Sequence, residues 1–362
     1  MRSRRNRPGL AARLAARRRA AVLLSIVLDL PVSRVVHRLT GTPRTETGDV
    51  DGVPLEIVRP AGSGPWPTWV FVNGAHPLRR KEPVVWRLSQ GLARAGYMVV
   101  VPDLPGLGNG QITMRTSDAA VSVTAFAMRL PDARDGRVAL VGASMGAGLA
   151  LLAASRCNED DRVSAVAAVA PFADLEKLIC LATTGSYPGE GGLERHDVTN
   201  LHRRVLARSL VALLEDSADR KSLLATLERV RDDDDPLAHL PTHAENLGPA
   251  AASVVRVLRN SDPERFPELC RDLPLHVVAA LSALSPARSC TGLRAPVEIV
   301  VPPSDVYFPP GEARTLAHCL PDARVTVTRS LDHTRPEASL ARLADLRRLD
   351  GFVVRGLAAA AA

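Results

Sequence analysis

The stretch Gly142-Ala143-Ser144-Met145-Gly146 constrains this chain more than any other. An apolar run, Arg137 to Val141, leads into it, and a run of small residues, Ala147 to Ala154, leads out. The first has the character of a buried strand and the second of a helix start, so Ser144 stands on the turn between them. A strand that passes directly into a helix must turn so sharply that side chains two positions either side of the apex would collide. Glycine at both flanking positions removes them and tolerates the strained backbone. The pattern predicts a strand–turn–helix unit with a serine hydroxyl at its tip.

The rest of the chain supplies a sheet for that unit. Val53 to Arg59 alternates as a strand, Thr68 to Val72 is a short apolar strand, and Pro83 to Ala95 reads as a helix stopped by Gly96. Tyr97 to Val101 is apolar throughout, Ser117 to Arg129 is helical, and Val163 to Ala170 is the next strand. Continuous apolar strands alternating with helices predict an α/β protein whose mostly parallel central sheet is covered by helices on both faces. From about Ala173 to Arg294 the strand signal stops. Amphipathic helices are predicted at Leu201 to Leu214, Lys221 to Val230, Ala250 to Leu258 and Leu275 to Leu284. Strands resume at Pro296 to Val301 and Arg324 to Thr328, and a helix over Glu337 to Arg348 follows. The expected organisation is an Arg-rich N-terminal extension (1–45), an α/β core (46–172 and 295–362) and an all-helical cap insertion (173–294). The cap is expected over the carboxyl ends of the strands, where such sheets bind ligands.

Charge bears on partners only once it is located. The net charge is +7, but residues 1–28 hold eight arginines and no acid, so removing that +8 leaves the remainder at −1. The basic character belongs to the extension, and aromatic residues are only 3% of the chain, so a nucleic-acid-binding surface is not expected. The apolar run Ala20 to Leu28 is too short to span a bilayer, which needs about 20 residues. It lacks a secretory cleavage pattern, and the reading is a cytoplasmic protein. The basic extension allows a peripheral contact with an anionic membrane through residues 1–38. Cys157, Cys180, Cys270, Cys290 and Cys319 are odd in number and never in C-x-x-C spacing, so they read as reduced thiols. His239 and His243 are separated by Pro241, which breaks a shared helical face, and no metal and no cofactor are predicted.

A serine hydroxyl is a weak nucleophile until a base takes its proton and an acid orients that base. Asp305 follows one late strand by four residues, and His333 follows the next by five. The order Ser144, Asp305, His333 fits a sheet whose loops supply the three groups in turn. Asp332, beside His333, is the competing acid. An oxyanion needs preorganised N–H donors: Met145 can give one from the start of the helix after the turn, and Ala75 another from Asn73-Gly74-Ala75. His76, on the same loop, is a candidate substrate contact. Asp103, in Pro-Asp-Leu-Pro-Gly, reads as a turn residue.

On Asn73-Gly74, Asp103-Leu104-Pro105-Gly106, Gly142–Gly146, Asp305 and His333, the chain resembles the α/β-hydrolase superfamily over roughly residues 50–355. The resemblance implies an eight-stranded, mostly parallel sheet, a cap inserted after the sixth strand, and acyl-enzyme chemistry without a cofactor. The sequence departs from the usual pattern at Asn73, where histidine is common, and at Pro302-Pro303-Ser304-Asp305, which lacks a glycine. Asp332 likewise stands where glycine often precedes the histidine. None of these removes a required functional group. The expected activity is a serine hydrolase acting on a small-molecule carboxylic ester. An acyltransferase or thioesterase using the same residues, a lipid hydrolase recruited by the extension, and a non-catalytic binding protein are the alternatives. Oligomeric state is not encoded in any of these signals.

Overall fold

Eight strands form one sheet whose register places every predicted loop at a defined edge. The computed structural model describes residues 10–158, 161–189, 191–337 and 340–362; residues 1–9 of the extension lie outside them. The chain begins with α1 (Leu10–Val27) and α2 (Ser33–Leu39), then a hairpin of β1 (Arg44–Val50) and β2 (Val53–Arg59). Next come β3 (Trp66–Val72), α3 (Pro83–Arg94), β4 (Met98–Pro102), α4 (Met114–Arg129), β5 (Ala133–Ala143), α5 (Met145–Arg156) and β6 (Val163–Val169).

The segment after β6 holds α6 (Leu175–Thr184), β7 (Ser186–Gly189), β8 (Gly192–Arg195), α7 (Asn200–Ala212) and α8 (Ala218–Arg229). It continues with α9 (Pro249–Leu258), α10 (Phe266–Arg271), α11 (Leu275–Ala283) and α12 (Pro286–Ser289). The sheet resumes with β9 (Val297–Val301), α13 (Pro310–Cys319) and β10 (Ala323–Val327). A small hairpin, β11 (Leu331–Asp332) and β12 (Arg335–Pro336), precedes the last helix, α14 (Leu343–Ala360).

The strand order is β1-β2-β4-β3-β5-β6-β9-β10. Strands from β4 to β10 run parallel, whereas β2 is antiparallel to both of its neighbours. β3, β4 and β9 are buried along their whole length, as continuous apolar strands must be when helices cover both faces. β1 was not predicted. Only Val50 of its seven residues is buried, so it carries no apolar alternation. Its signal was instead Asp51-Gly52, whose φ values of 52° and 78° turn the chain back into β2.

The all-helical insertion needs a correction, because β7 and β8 pair as an antiparallel hairpin from Ser186↔Arg195 to Gly189↔Gly192. Gly185 and Gly192, both at positive φ, bend the chain there, and the Ser-Tyr-Pro-Gly sequence masks its extended character. Glu312 of α13 ties the start of this segment to the sheet. Its Oε2 accepts from the Ala173 and Asp174 amides at 2.5 and 3.1 Å, and its Oε1 from the Tyr187 hydroxyl at 2.5 Å. Burial pushes this carboxyl up to about 7 even though all three donors favour its charged form.

α1 packs on α3 and α14 through Ala16, Ala20, Leu23 and Ile26, all buried, while Arg17 and Arg18 stay exposed. That face of α1 is thereby buried against the core, while Leu14, Val32 and Val35 of the same extension stay exposed. Beneath it the Tyr97 hydroxyl donates to the Leu357 carbonyl at 2.7 Å, and the Arg19 guanidinium lies 5.1 Å above the Tyr97 ring. Among the described residues no helix is long and apolar enough to cross a membrane.

Two stability measurements follow from these contacts. Leu23→Ala is expected to cost about 3 kcal/mol in urea unfolding. A Cβ on Gly91 would lie 2.8 Å from Leu23 Cδ1, so Gly91→Ala added to Leu23→Ala should fill vacated space and recover about 1 kcal/mol. Further loss in the double variant would contradict this packing. For Glu312, a folded pKa above the ordinary carboxyl value means that its contribution is complete below about pH 4.5 and is lost as pH rises through about 7. The stability of wild type relative to Glu312→Gln should therefore fall by about 2–3 kcal/mol from about pH 5 to about pH 8. A pH-independent difference would show an ordinary carboxyl.

Candidate active site

β5 delivers Ser144 to the top of the sheet with φ 54° and ψ −128°, a conformation that non-glycine residues rarely adopt. The flanking glycines are steric requirements. A Cβ on Gly142 would overlap the Gly146 carbonyl oxygen and Ala147, and one on Gly146 would overlap the carbonyl oxygens of Val72 and Asn73. The Ser144 amide donates to the Val169 carbonyl at 2.9 Å, which fastens the turn to the end of β6.

Three of the predicted residues meet here. His333 Nε2 lies 2.9 Å from Ser144 Oγ, and His333 Nδ1 lies 2.8 Å from Asp305 Oδ2. A carboxylate can only accept, so Nδ1 carries the proton and Nε2 is left to accept from the serine hydroxyl. Asp305 sits on the loop between β9 and α13 with its side chain 2% exposed. Its Oδ1 accepts from the amides of Tyr307 and Phe308 at 2.8 and 3.2 Å. The loop's own backbone thus orients the carboxylate and points Oδ2 at the histidine. His333 is at the tip of the β11–β12 hairpin with φ 47°, and the Tyr307 and Phe308 rings pack 4.6 and 5.6 Å from its imidazole. Asp332, the competing acid, is exposed on β11; the carboxylate that bonds the imidazole belongs to Asp305.

Ala75, His76 and Met145 line the same cavity as Ser144 and His333. Met145 opens α5, where first-turn amides have no acceptor inside the helix. A Cβ on Gly74 would be 3.2 Å from the Ala143 carbonyl oxygen and 3.3 Å from Ser144 Cβ, so the loop after β3 passes close to the serine. His76 Nδ1 accepts from the Leu78 amide at 3.3 Å. Asp103 does more than make a turn. It accepts from the Arg80 amide at 3.0 Å and is ion-paired with the Arg80 guanidinium, which also reaches Glu56 at 3.2 Å. Those bonds anchor the far end of the loop that carries Ala75 and His76.

The cavity has a volume of about 430 Å³. Val84 and Leu88 of α3 form one wall; Leu201, His202 and Val205 of α7 form another. His202 was missed by the sequence reading. Its only signal was a histidine in register with Val205 and Ser209 on the buried face of α7. Burial drives its imidazole down to about 4, so the ring is neutral near neutral pH.

The X-Pro dipeptidyl-peptidase (S15) family matches residues 49–249, which run from β1 through the predicted nucleophile into the inserted helices. No curated protein matches the sequence. Among solved structures, DcsB in complex with its substrate analogue aligns with a TM-score of 0.50 at 16% identity, over 87% of this chain and 100% of that one. Porphyromonas gingivalis dipeptidyl peptidase 4 aligns with a TM-score of 0.50 at 14% identity, over 90% of this chain but 37% of that longer one. A bacterial brefeldin A esterase aligns with a TM-score of 0.49 at 19% identity, over 96% and 86% of the two chains. At such identities these likenesses concern the fold alone. The family match covers more than half of the sequence, and the chain accordingly belongs to the S15 family, a serine hydrolase of the α/β-hydrolase superfamily.

Proposed function

We propose that this S15 family member cleaves a carboxylic ester through an acyl-enzyme formed on Ser144. The observation that carries this reading is the unbroken hydrogen-bond chain from Ser144 Oγ through His333 to Asp305. Ser144 Oγ attacks the acyl carbon as His333 Nε2 takes its proton, and Asp305 steadies the imidazolium that results. The N–H groups of Ala75 and Met145 receive the developing oxyanion. His333 then returns the proton to the leaving alkoxide. Water, deprotonated by the same imidazole, attacks the acyl carbon and releases the acid. His76, on the cavity rim, contacts the substrate. The apolar faces of α3 and α7 favour a substrate with an apolar portion.

The family match favours a second reading, in which the scissile bond is the amide that follows an X-Pro pair. The same residues would serve, with His333 protonating a leaving amine instead of an alkoxide. Acyl transfer differs only in that an alcohol, amine or thiol replaces water in the second half-reaction.

The test is fluorophosphonate labelling of the purified protein beside Ser144→Ala, His333→Ala and Asp305→Asn. Labelling is expected to vanish in Ser144→Ala, and the reaction rate should fall by about 10⁴-fold or more in His333→Ala. A folded wild type that resists labelling would remove the catalytic reading and leave a binding protein. p-Nitrophenyl esters of increasing chain length are then compared with an X-Pro p-nitroanilide. A higher kcat/KM for the anilide than for every ester would replace the ester reading with the peptidase one.

A further inference from the structure

Within the apolar wall that α7 presents to the cavity stands one histidine. Among the described cavity-lining residues, His202 is 3% exposed and has both ring nitrogens buried with no hydrogen-bond partner. A neutral imidazole always carries one donor and one acceptor, and burying both unbonded is costly. A leucine or phenylalanine would fill the same place without that cost.

The surroundings fix the position of the ring. Its backbone amide donates to Thr199 Oγ1 at 3.2 Å as part of the cap of α7. Its ring meets those of Tyr307 and Phe308 nearly edge-on, with centroids 6.4 and 5.9 Å away and interplanar angles of 78° and 77°. These same two rings pack against His333. His202 therefore stands across one aromatic layer from the imidazole that bonds Ser144.

We infer that His202 is a substrate-binding residue that selects an uncharged oxygen function, a hydroxyl, ether or carbonyl, on the part of the substrate lying against α7. This assignment rests on the reading of Ser144 as the nucleophile. In the bound state a ring nitrogen meets the substrate oxygen at the cavity wall to which His202 contributes. The ring's neutrality determines the class of partner. Burial opposes its protonation most strongly; the charge of Asp305 favours it, and His333 and Arg203 oppose it. A neutral imidazole suits an uncharged donor or acceptor, whereas a carboxylate would call for a cation in its place.

The experiment uses matched phosphonate probes that react at Ser144. One has a plain alkyl chain, and the others place a single ether or hydroxyl oxygen at successive chain positions. Second-order labelling rates are measured for wild type, His202→Leu and His202→Phe, with Ser144→Ala confirming the site. Wild type is expected to favour at least one oxygenated probe over its alkyl match by about tenfold, the loss that follows when a buried polar group goes unpaired. In the folded apolar variants that ratio should collapse toward one. Wild type labelled at Ser144 without any such preference overturns the assignment alone. So does a ratio that survives in both variants while all rates fall together, because that is the pattern of a packing residue. Failure of every probe to label folded wild type overturns the nucleophile reading, and the His202 assignment with it.

Discussion

The contact on which the site depends is the approach of Gly146 to the carbonyl oxygens of Val72 and Asn73. It brings the start of α5 against the end of β3, two segments more than seventy residues apart in sequence. Because that contact leaves no room for a Cβ, the loop after β3 and the amides at the start of α5 share one small space above Ser144. Gly142 performs the same service on the other side of the turn, against Gly146 and Ala147. The left-handed backbone of Ser144 follows from this crowding, since the chain must reverse before β5 runs into its own helix. The surrounding strands over-determine that strain: β5 lies in parallel register with β3 on one side and β6 on the other.

The loop after β9 and the start of α13 carry two buried carboxylates, and their surroundings divide their work. Asp305 accepts from two amides of its own loop and presents its second oxygen to His333, so the loop orients a group that acts on another residue. Glu312, seven positions on, has both oxygens occupied by donors from the start of the insertion, and burial favours its proton. One carboxylate holds the imidazole and the other holds the inserted segment to the sheet. Both ride on a short stretch of chain, so a shift of α13 would be felt at His333 and at the β7–β8 hairpin together.

Ser144, Asp305 and His333 were legible because each must occupy one loop of a parallel sheet, and the apolar strands located those loops. β1 was not legible by periodicity, since an edge strand with one buried residue has no pattern to show. The Asp51-Gly52 turn was the better clue. The β7–β8 hairpin was hidden by its glycines and proline. Asp103 was placed correctly on a turn, but its partner Arg80 lies twenty-three residues earlier and no local rule pairs them. α1 was read as part of an arginine-rich extension; the alanine and leucine stripe that docks it was outweighed by the charge around it. His202 had no signal beyond its register, because what sets it apart is the absence of a partner after folding.

Under the proposed function these elements divide the molecule into a part that would fix reaction geometry and a part that would fix choice. Ser144, Ala75, Met145 and Asp305 all sit where strands of the sheet end, and His333 sits on a hairpin packed beside them, so their relative positions are set by the strand register. The α7 wall belongs instead to the insertion, which is tied to that framework through Glu312, whose carboxylate accepts from the Ala173 and Asp174 amides. The family supplies the framework, and under the proposed function the residues that α7 and α3 contribute to the cavity wall would choose what enters it.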